Sequence, residues 1–589
     1  MRELKDKNTK REAVVIAVVN LIGLLITVCG IIIAIKMLFV PRSLWIDEAG
    51  LAYSFSLRSI TKLTSQQFEW MQSAPVGFLY VEKLLSLSLG NTEQVLRLYS
   101  LLSYFLLLVL MFLSAKNMFK SRVPMLPVGY VSSMSIILQY SNVFKPYMQD
   151  AWMVLLVIYL YYCWKEKKIK TIGLAITWSV LIWFSNPVCF AIGGCLLVDL
   201  VLFVKKDTSI SIKEELFISI CIGFSFVIDY FYWLRGAATD ADMQGFWKGH
   251  YFKLILKSKE DWVHAKELIH IIMQWFNTYE VLFCAVILLM SILAIIKVKK
   301  YHMCIVFCIV VSLFASSIHM YPIQERLWVF AYPLIILIVF DFFENVILQT
   351  NSSLFLKTSV FFLLIVFIFN NNGIEMYKDD QNVYWKGYET NYQVEYLQDV
   401  ANASDSIYVY YYAVPGVKYK IGYDTSELNG AKIIYGNTLF GEADTCEEDI
   451  EKILENESCY IVTSSFNDVE GKKLIETLKQ YGTLELVDYR YDTPLWHYTS
   501  NNEKKKTQYS INEIDEYQEG NYMYKTIQIV NTGETYLNHM YEDVYLGGDG
   551  LVGVYSIPKM IAPSQSIEIK VYCEPGTDNI HLYTDKGVL

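Results

Sequence analysis

Residues 13–40 read AVVIAVVNLIGLLITVCGIIIAIKMLFV, an apolar run with a single charged residue, Lys36. About 20 apolar residues are enough for a helix to cross the hydrocarbon core of a bilayer. The run is too long for a signal peptide and lacks a small-residue cleavage site, which favours a helix that is retained. This stretch therefore predicts that the chain is inserted in a membrane.

Ten further apolar runs follow the same rule. Together with the first they predict about eleven spans, centred near residues 14–40, 95–115, 124–140, 148–164, 171–185, 187–204, 215–234, 279–297, 302–319, 326–348 and 353–370. Composition agrees, because charged residues make up only 19% of the 589, whereas soluble domains carry about 25%. The expected fold class is a multi-pass α-helical membrane protein.

Charge divides the chain into two parts. Residues 371–589 carry 17 Lys and Arg against 36 Asp and Glu, a formal charge of −19, which leaves +9 for residues 1–370. The acidic part has no basic patch or stripe, which argues against binding of nucleic acid. A basic, apolar membrane part is therefore expected to precede an acidic, water-exposed part.

Lys and Arg are concentrated in the N-terminal tail and in alternate short loops. The basic loops are those at 116–122, 165–170, 205–213 and 297–300. Because cytoplasmic loops carry the excess of Lys and Arg, the pattern predicts a cytoplasmic N-terminus. With an odd number of spans, the C-terminal part is expected on the extracytoplasmic side of the cell membrane.

Three domains are expected: a membrane domain (1–370) and two extracytoplasmic domains, 371–500 and 507–589. In 371–500, strands are predicted at 406–412, 432–435, 460–463, 484–489 and 495–498, and helices at 389–402, 446–456 and 468–481. This alternation is typical of an α/β domain, interpreted as a lid or an acceptor-docking module. After a polar linker at 501–506, strands spaced by glycine-containing turns predict a small β-sandwich.

The first predicted outer loop begins with Trp45-Ile46-Asp47-Glu48-Ala49. Adjacent carboxylates at the mouth of a helix bundle suit a general base or a metal ligand. An acidic pair is equally typical of a helix N-terminus, where the helix dipole stabilises it. Both interpretations stay open, and residues 65–77 are expected to form amphipathic helices at the membrane surface.

Three other predicted outer turns, at 142–150, 183–187 and 319–326, place polar residues at the ends of spans. Lys145 can be interpreted as a cation that binds a lipid phosphate at headgroup depth. It can equally be a lysine that extends its charged end to the membrane surface. Asp150 is expected one turn into the next helix, and Arg326 is expected to begin a span. Two cations and an acidic pair on one face favour a functional site there.

The order of these motifs resembles the polyprenyl-phosphate-dependent GT-C glycosyltransferases, in the branch of the protein mannosyltransferases and the aminoarabinose transferase of lipid A. The resemblance covers residues 1–370 and extends loosely to about residue 500. It departs from the family pattern at Ala74-Pro75, where many relatives have two prolines, and at 323–325, where relatives have a glycine-rich turn. The motifs are Trp45-x-Asp47-Glu48-Ala49, Gly90-Asn91-Thr92-Glu93-x-x-x-Arg97-Leu98, Lys145-Pro146-Tyr147-x-x-Asp150, Trp183-Phe184-Ser185-x-Pro187 and Tyr321-Pro322-x-x-x-Arg326.

The resemblance implies an inverting transferase that takes a sugar from a polyprenyl-phosphate carrier on the extracytoplasmic face. It implies that Asp47 is the catalytic base and that Glu48 orients Asp47 or the acceptor. The implied ligands of the donor phosphate are Lys145, Arg326, Tyr147, Tyr321 and Arg97, supported by Asp150. No cofactor and no metal site is expected, although dependence on a divalent metal is left open. The sugar and the acceptor (a glycan, a lipid or a protein) do not follow from the resemblance.

Two other classes of protein stay open. A transporter or flippase of lipid-linked sugars would place ionisable residues near the bilayer midplane, where only Asp229 and Asp341 fit. An inactive membrane scaffold would need neither the acidic pair nor the two cations.

Overall fold

A computed structural model of the chain divides it into two compact units. The first unit comprises Met1–Pro41 and Gly50–Tyr384, and the second comprises Arg42–Ala49 and Trp385–Leu589. The predicted span at 353–370 and the linker at 501–506 lie outside the described residues. Those residues are 2–206, 211–276, 280–297, 299–349, 388–422, 428–437, 443–464, 469–490, 493–500, 508–519, 522–533, 537, 545–548, 550–552, 555–556, 561, 564–577, 579–584 and 587–588.

The described part of the first unit is helical. Its helices are α1 (Arg2–Leu38), α2 (Ile46–Leu57, whose first turn belongs to the second unit), α3 (Val76–Leu89), α4 (Glu93–Leu113), α5 (Met125–Ser133), α6 (Ser135–Tyr140), α7 (Tyr147–Lys165), α8 (Thr171–Ile182), α9 (Val188–Val204), α10 (Ile212–Asp229), α11 (Arg235–Ala238), α12 (Ala241–Trp247), α13 (Lys259–Met273), α14 (Glu280–Ile296), α15 (Lys300–Ser317) and α16 (Ala331–Gln349).

Four helical stretches among the described residues are long and apolar enough to cross a bilayer: Glu12–Leu38, Glu93–Met118, Ile212–Ala238 and Lys300–Ser317. Three shorter apolar helices accompany them, at Thr171–Ile182, Val188–Val204 and Phe283–Ile296. The chain is therefore an integral membrane protein with a helical membrane part. The number of eleven spans stays a prediction.

Three expectations about helix boundaries are wrong. The run 124–140 is not one helix, because Met134 has an extended backbone between α5 and α6. Just before this break, the hydroxyls of Ser132 and Ser133 hydrogen-bond to the carbonyl of Gly129. Such side-chain bonds compete with the backbone hydrogen bonds of a helix. Residues 65–75 contain no helix, and α3 begins only at Val76. Arg326 lies in a turn, because α16 begins at Ala331.

Close packing of α1 against α5 depends on two glycines. A Cβ at Gly23 would overlap the carbonyl oxygen of Met125, and a Cβ at Gly129 would lie 2.8 Å from the carbonyl oxygen of Gly23. Small residues allow the backbones of membrane helices to approach closely. This contact packs the first predicted span against α5.

The second unit contains α17 (Asn391–Val400), α18 (Val414–Ile421), α19 (Ala443–Leu454) and α20 (Val469–Tyr481) around a five-stranded sheet of order β2-β1-β3-β5-β4. Its strands are β1 (Ser406–Val409), β2 (Lys432–Tyr435), β3 (Ser458–Val462), β4 (Thr483–Arg490) and β5 (Thr493–Thr499). Strand β1 is parallel to β2 and β3, and β5 is antiparallel to β3 and β4. The predicted strand 406–412 ends at Val409, because residues 411–413 form a 3₁₀ turn that leads into α18.

Two antiparallel sheets follow in residues 509–588. One has the order β10-β7-β6 and the other β12-β11-β8-β9. A shared apolar cluster joins them, with Ile529 and Val571 from the first sheet and Leu546 and Leu582 from the second. The strands are β6 (Tyr509–Glu519), β7 (Tyr522–Asn531), β8 (Tyr545–Gly547), β9 (Tyr555–Ser556), β10 (Ser566–Cys573), β11 (His581–Thr584) and β12 (Gly587–Val588).

Candidate active site

The acidic pair lies in the first turn of α2. Glu48 is fully buried, and its carboxylate accepts a hydrogen bond from the backbone N–H of Trp45 at 3.3 Å. A glutamate at the third helical position that bonds back to the N-cap satisfies a free N–H of the helix end. Glu48 therefore makes a helix-capping contact, and its role in orienting Asp47 or the acceptor stays a prediction. Asp47 is half-buried, and its role as base stays a prediction.

Lys145 lies in the turn between α6 and α7, and only 4% of it is exposed. Its ammonium donates a hydrogen bond to the side-chain oxygen of Gln72. The side-chain N–H of Gln72 donates to the carbonyl of Trp70 at 2.9 Å, and this bond fixes the orientation of the side-chain amide. The bond to Gln72 therefore helps to hold the ammonium in place.

The backbone before Gln72 is strained. Trp70 and Met71 both have φ of +52°, in the left-handed region that costs a non-glycine residue roughly 1–2 kcal/mol. Strain of this kind is concentrated at functional sites, where the surrounding structure imposes it. The two residues turn the chain so that the side chain of Gln72 meets Lys145.

The turn between α15 and α16 holds Tyr321 and Arg326. The Tyr321 hydroxyl donates to the carbonyl of Leu327 at 2.7 Å, and its ring packs edge-on against Phe190 at 5.0 Å. The guanidinium of Arg326 lies 5.3 Å from the ring centre of Trp247, a cation–π arrangement. Both side chains are half-buried and held by defined contacts.

The turns at 142–150 and 319–326 are adjacent in the first unit. Tyr140 and Tyr147 pack edge-on at 5.3 Å, and Tyr140 interacts electrostatically with Arg326. Burial raises the pKa of Tyr321, and the acidic groups of Asp150 and Tyr147 raise it further. The Tyr321 phenol is therefore neutral at physiological pH, and its hydrogen is donated to the carbonyl of Leu327.

The turn at 183–187 packs beside the same region. The side-chain amide of Gln149 donates to the carbonyl of Phe184, and the backbone N–H of Gly77 donates to the carbonyl of Trp183 at 2.8 Å. These bonds tie the start of α3 and the start of α7 to one turn. Three of the four groups of residues singled out in the sequence thus come together within the first unit.

A substitution at Gly77 tests the packing of the turn at 183–187 against the start of α3. A Cβ at this position would overlap the ring of Phe184, whereas a Cβ at Gly173 would have no atom within 4 Å. We expect Gly77→Ala to destabilise the protein by about 1–3 kcal/mol through overpacking. Gly173→Ala, the matched control, is expected to be neutral or stabilising, since alanine favours a helix by about 1 kcal/mol over glycine. Thermal unfolding of both variants in detergent measures the difference, and equal unfolding temperatures would contradict the packing.

Arg97 and Asp150 are both buried. Arg97 lies in α4 and is 2% exposed, and Asp150 lies in α7 and is 6% exposed. Asp150 is one turn into its helix, as predicted, and its backbone N–H bonds to the carbonyl of Pro146 at 2.8 Å. The structure places Arg97 in the first unit with the other candidate cations, and its contact with the donor phosphate stays a prediction.

Sequence reasoning missed Gln72, Trp247 and Glu82. Gln72 and Trp247 have no local signature, because their roles depend on contacts with Lys145 and Arg326 that are distant in sequence. Glu82 had a signal, since Glu82-Lys83 interrupts the apolar run of α3. Both residues are buried, and Lys83 donates to the carbonyl of Phe55 at 3.1 Å.

Glu82 gives a pH-dependent prediction. Neither of its carboxylate oxygens has a hydrogen-bond partner among the described residues, and burial raises the pKa of its carboxyl well above the usual range. Because the pKa of the Glu82 carboxyl is higher in the folded than in the unfolded protein, the neutral carboxyl is compatible with the fold at low pH. The resulting contribution to the free energy of unfolding is lost as pH rises through the folded pKa. We expect Glu82→Gln to raise the unfolding temperature more at pH 8 than at pH 5, by roughly 1 °C for each kcal/mol of ionisation cost in a chain of this length.

The control for Glu82→Gln is Glu267→Gln, at an exposed position of α13. This variant is expected to unfold at the wild-type temperature at both pH values. A gain for Glu82→Gln that does not grow with pH would contradict a neutral buried carboxyl.

In the part of the chain that the structure describes, no group of three His, Cys, Asp or Glu side chains could hold a metal ion. The histidines of the loop at 236–277 have separate partners. His250 bonds with Ile323, His264 with the carbonyl of Tyr251, and His270 with Glu280 at 2.6 Å.

No protein-family model and no curated protein matches the chain. Solved structures that are similar to it include the following two. One is ArnT from Cupriavidus metallidurans in the apo state, with 10% sequence identity, a TM-score of 0.49 and coverage of 80% of this chain and 97% of that chain. The other is ArnT from the same organism bound to undecaprenyl phosphate, with 11% identity, a TM-score of 0.48 and the same coverage. A likeness at this distance assigns neither an activity nor a ligand to this chain.

Proposed function

We propose that the chain is a membrane glycosyltransferase that moves a sugar from polyprenyl phosphate to an acceptor on the extracytoplasmic face. The observation that carries the proposal is the buried ammonium of Lys145, held by Gln72 in the unit that also contains Arg326. Fixed cations suit a phosphate, whose oxygens accept charge-assisted hydrogen bonds. A lipid phosphate is the anion expected for an integral membrane protein.

In the proposed reaction, an acceptor hydroxyl attacks the anomeric carbon of the sugar. Asp47 takes the hydroxyl proton, the bond between the anomeric carbon and the phosphate oxygen breaks, and polyprenyl phosphate leaves. A single displacement of this kind inverts the anomeric configuration. Lys145 and Arg326 stabilise the charge that grows on the leaving phosphate, a step at which preorganised cations contribute strongly.

The proposed orientation places the N-terminus in the cytoplasm and the second unit outside. It rests on the excess of Lys and Arg in the tail and in the loops at 116–122, 165–170, 205–213 and 297–300. This orientation places residues 142–150 and 319–326 on the extracytoplasmic side, where a donor that has already crossed the membrane is accessible.

A transporter of lipid-linked sugars is the competing function. Of the two acidic residues that favour it, Asp341 accepts a hydrogen bond from His302 at 2.7 Å and lies 3.6 Å from the ammonium of Lys299. These partners explain the burial of Asp341 structurally. Asp229, buried at the end of α10, is then the remaining support for transport.

A reconstituted system separates the two functions. Purified protein in liposomes is given a polyprenyl-phosphate sugar labelled in both the sugar and the lipid, together with an acceptor extract. A transferase separates the sugar label from the lipid label, whereas a transporter moves both labels across the bilayer together. Movement of intact donor without separation of the labels would contradict the proposal.

A further inference from the structure

The five-stranded sheet of the second unit has a topological switch point. The chain passes from β1 to β2 on one side and then to β3 on the other side of β1, and all three strands are parallel. In open α/β sheets, ligands bind outside the carboxyl ends of the strands at such a point. The carboxyl end of β3 and the start of β5 share this edge, because Val462 pairs with Leu495.

Residues 388–393 of the chain itself are bound at this edge. Gln393, fully buried, accepts the backbone N–H of Thr463 at 3.0 Å and donates to its carbonyl at 2.9 Å. The Tyr392 hydroxyl donates to the carbonyl of Thr493, and the N–H of Glu389 donates to the Thr493 hydroxyl at 3.3 Å. The edge where a ligand is expected is therefore bonded to the chain's own backbone and side chains.

The same residues hold the segment that contains the acidic pair. The backbone N–H of Ser43 donates to the carboxylate of Glu389 at 2.8 Å, and the Ser43 hydroxyl accepts the N–H of Asn391, the first residue of α17, at 2.9 Å. Trp45 packs edge-on against Tyr388 with ring centres 6.3 Å apart. Ser43, Trp45 and Glu389 are all buried, so these bonds are protected from water.

We infer that Glu389 is a positioning residue for Asp47. A hydrogen bond to a charged acceptor is stronger than one between neutral groups, and this one fixes the backbone two residues before the N-cap of α2. Glu48 then closes the first helical turn onto Trp45, which leaves Asp47 at a defined position. The inference rests on the proposed function, in which the carboxylate of Asp47 is the catalytic base.

The kinetic test compares three variants of the full chain in lipid. Glu389→Ala removes the acceptor for the Ser43 N–H and is expected to lower kcat about 10- to 100-fold, the scale of a misplacement near 1 Å, with little change in KM for the donor. Glu389→Gln keeps an acceptor oxygen and is expected to retain kcat within about threefold, since the hydrogen bond to Ser43 persists. Glu395→Ala, at an exposed position of α17, is the matched control and is expected to behave as wild type.

A purely structural role for Glu389 would lower the amount of folded protein without this split between kcat and KM. Wild-type kcat in Glu389→Ala, or an equal loss in the Ala and Gln variants, would overturn the inference. If Glu389→Ala does not fold, Glu389→Asp keeps the charge but withdraws the carboxylate from the Ser43 N–H by one methylene. It is expected to lower kcat in the same direction, and wild-type kcat in Glu389→Asp would overturn the inference.

Hydrogen exchange separates failure of this inference from failure of the proposed function. In Glu389→Ala, the amides of residues 42–49 are expected to exchange faster than in wild type, whereas Glu389→Gln and Glu395→Ala leave them protected. This readout needs no donor. Unchanged exchange in Glu389→Ala would overturn the positioning role even if the enzyme is active, and faster exchange with no turnover of any donor by wild type would refute the function alone.

Discussion

Replacing Asp47 by asparagine is expected to lower turnover of the donor by ~10²–10⁴-fold, the usual contribution of a general base. Asparagine has nearly the same shape as aspartate but cannot accept the proton of the acceptor hydroxyl. Binding of the donor is expected to remain, because the proposed phosphate ligands are unchanged. Single-turnover release of polyprenyl phosphate, measured beside equilibrium binding of the donor, separates the two effects.

The matched control is Asp242→Asn, an exposed aspartate in α12, which is expected to have wild-type turnover. Turnover that survives in Asp47→Asn would keep the transferase class and show that another group accepts the proton. Glu48→Ala tests the structural role of Glu48, because this variant removes the acceptor of the Trp45 N–H. We expect it to lower stability without a specific loss of kcat.

The second large effect is expected from Lys145→Met, which removes the ammonium and keeps much of the apolar stem. Loss of one preorganised group that stabilises developing charge typically costs ~10²–10³ in kcat, and the KM for the donor should rise as well. Steady-state kinetics over a range of donor concentrations measure both constants.

Lys205→Met, at an exposed position beyond α9, is the matched control for Lys145→Met. Arg326→Ala is expected to act in the same direction as Lys145→Met, with Arg235→Ala, an exposed arginine, as its own control. Wild-type kinetics in both Lys145→Met and Arg326→Ala would contradict a phosphate site formed by these cations.

Helices and strands were largely predictable because their signals are local. Apolar runs located α4, α7, α9 and α15, and short β-rich runs located all five strands of the sheet in the second unit. The wrong helix boundaries also have local causes, but these are hydrogen bonds and backbone angles that a hydropathy pattern does not reveal. Ser132 and Ser133 bond to Gly129 and interrupt the run at Met134, and the positive φ values at Trp70 and Met71 replace an expected amphipathic helix with a turn.

The sequence singles out the charged residues of the candidate site but not their partners, and the catalytic and binding roles of those residues stay predictions. Lys145, Arg326 and the acidic pair stood out because ionisable residues at the ends of apolar runs are costly. Gln72 has no such signal, since an amide in a polar segment is ordinary. The bond between Ser43 and Glu389 joins residues 346 apart in sequence, and no local pattern indicates a contact of that range.

Transfer of a sugar from polyprenyl phosphate by this chain is best measured as turnover by the wild-type protein. Purified protein in lipid is incubated with a panel of radiolabelled polyprenyl-phosphate sugars and cell-envelope acceptor extracts, and released polyprenyl phosphate is measured against sugar gained by the acceptor. We expect equimolar release and gain from one donor, with an inverted anomeric configuration in the product. Folded protein that turns over no donor with any extract, or a product with retained configuration, would contradict it.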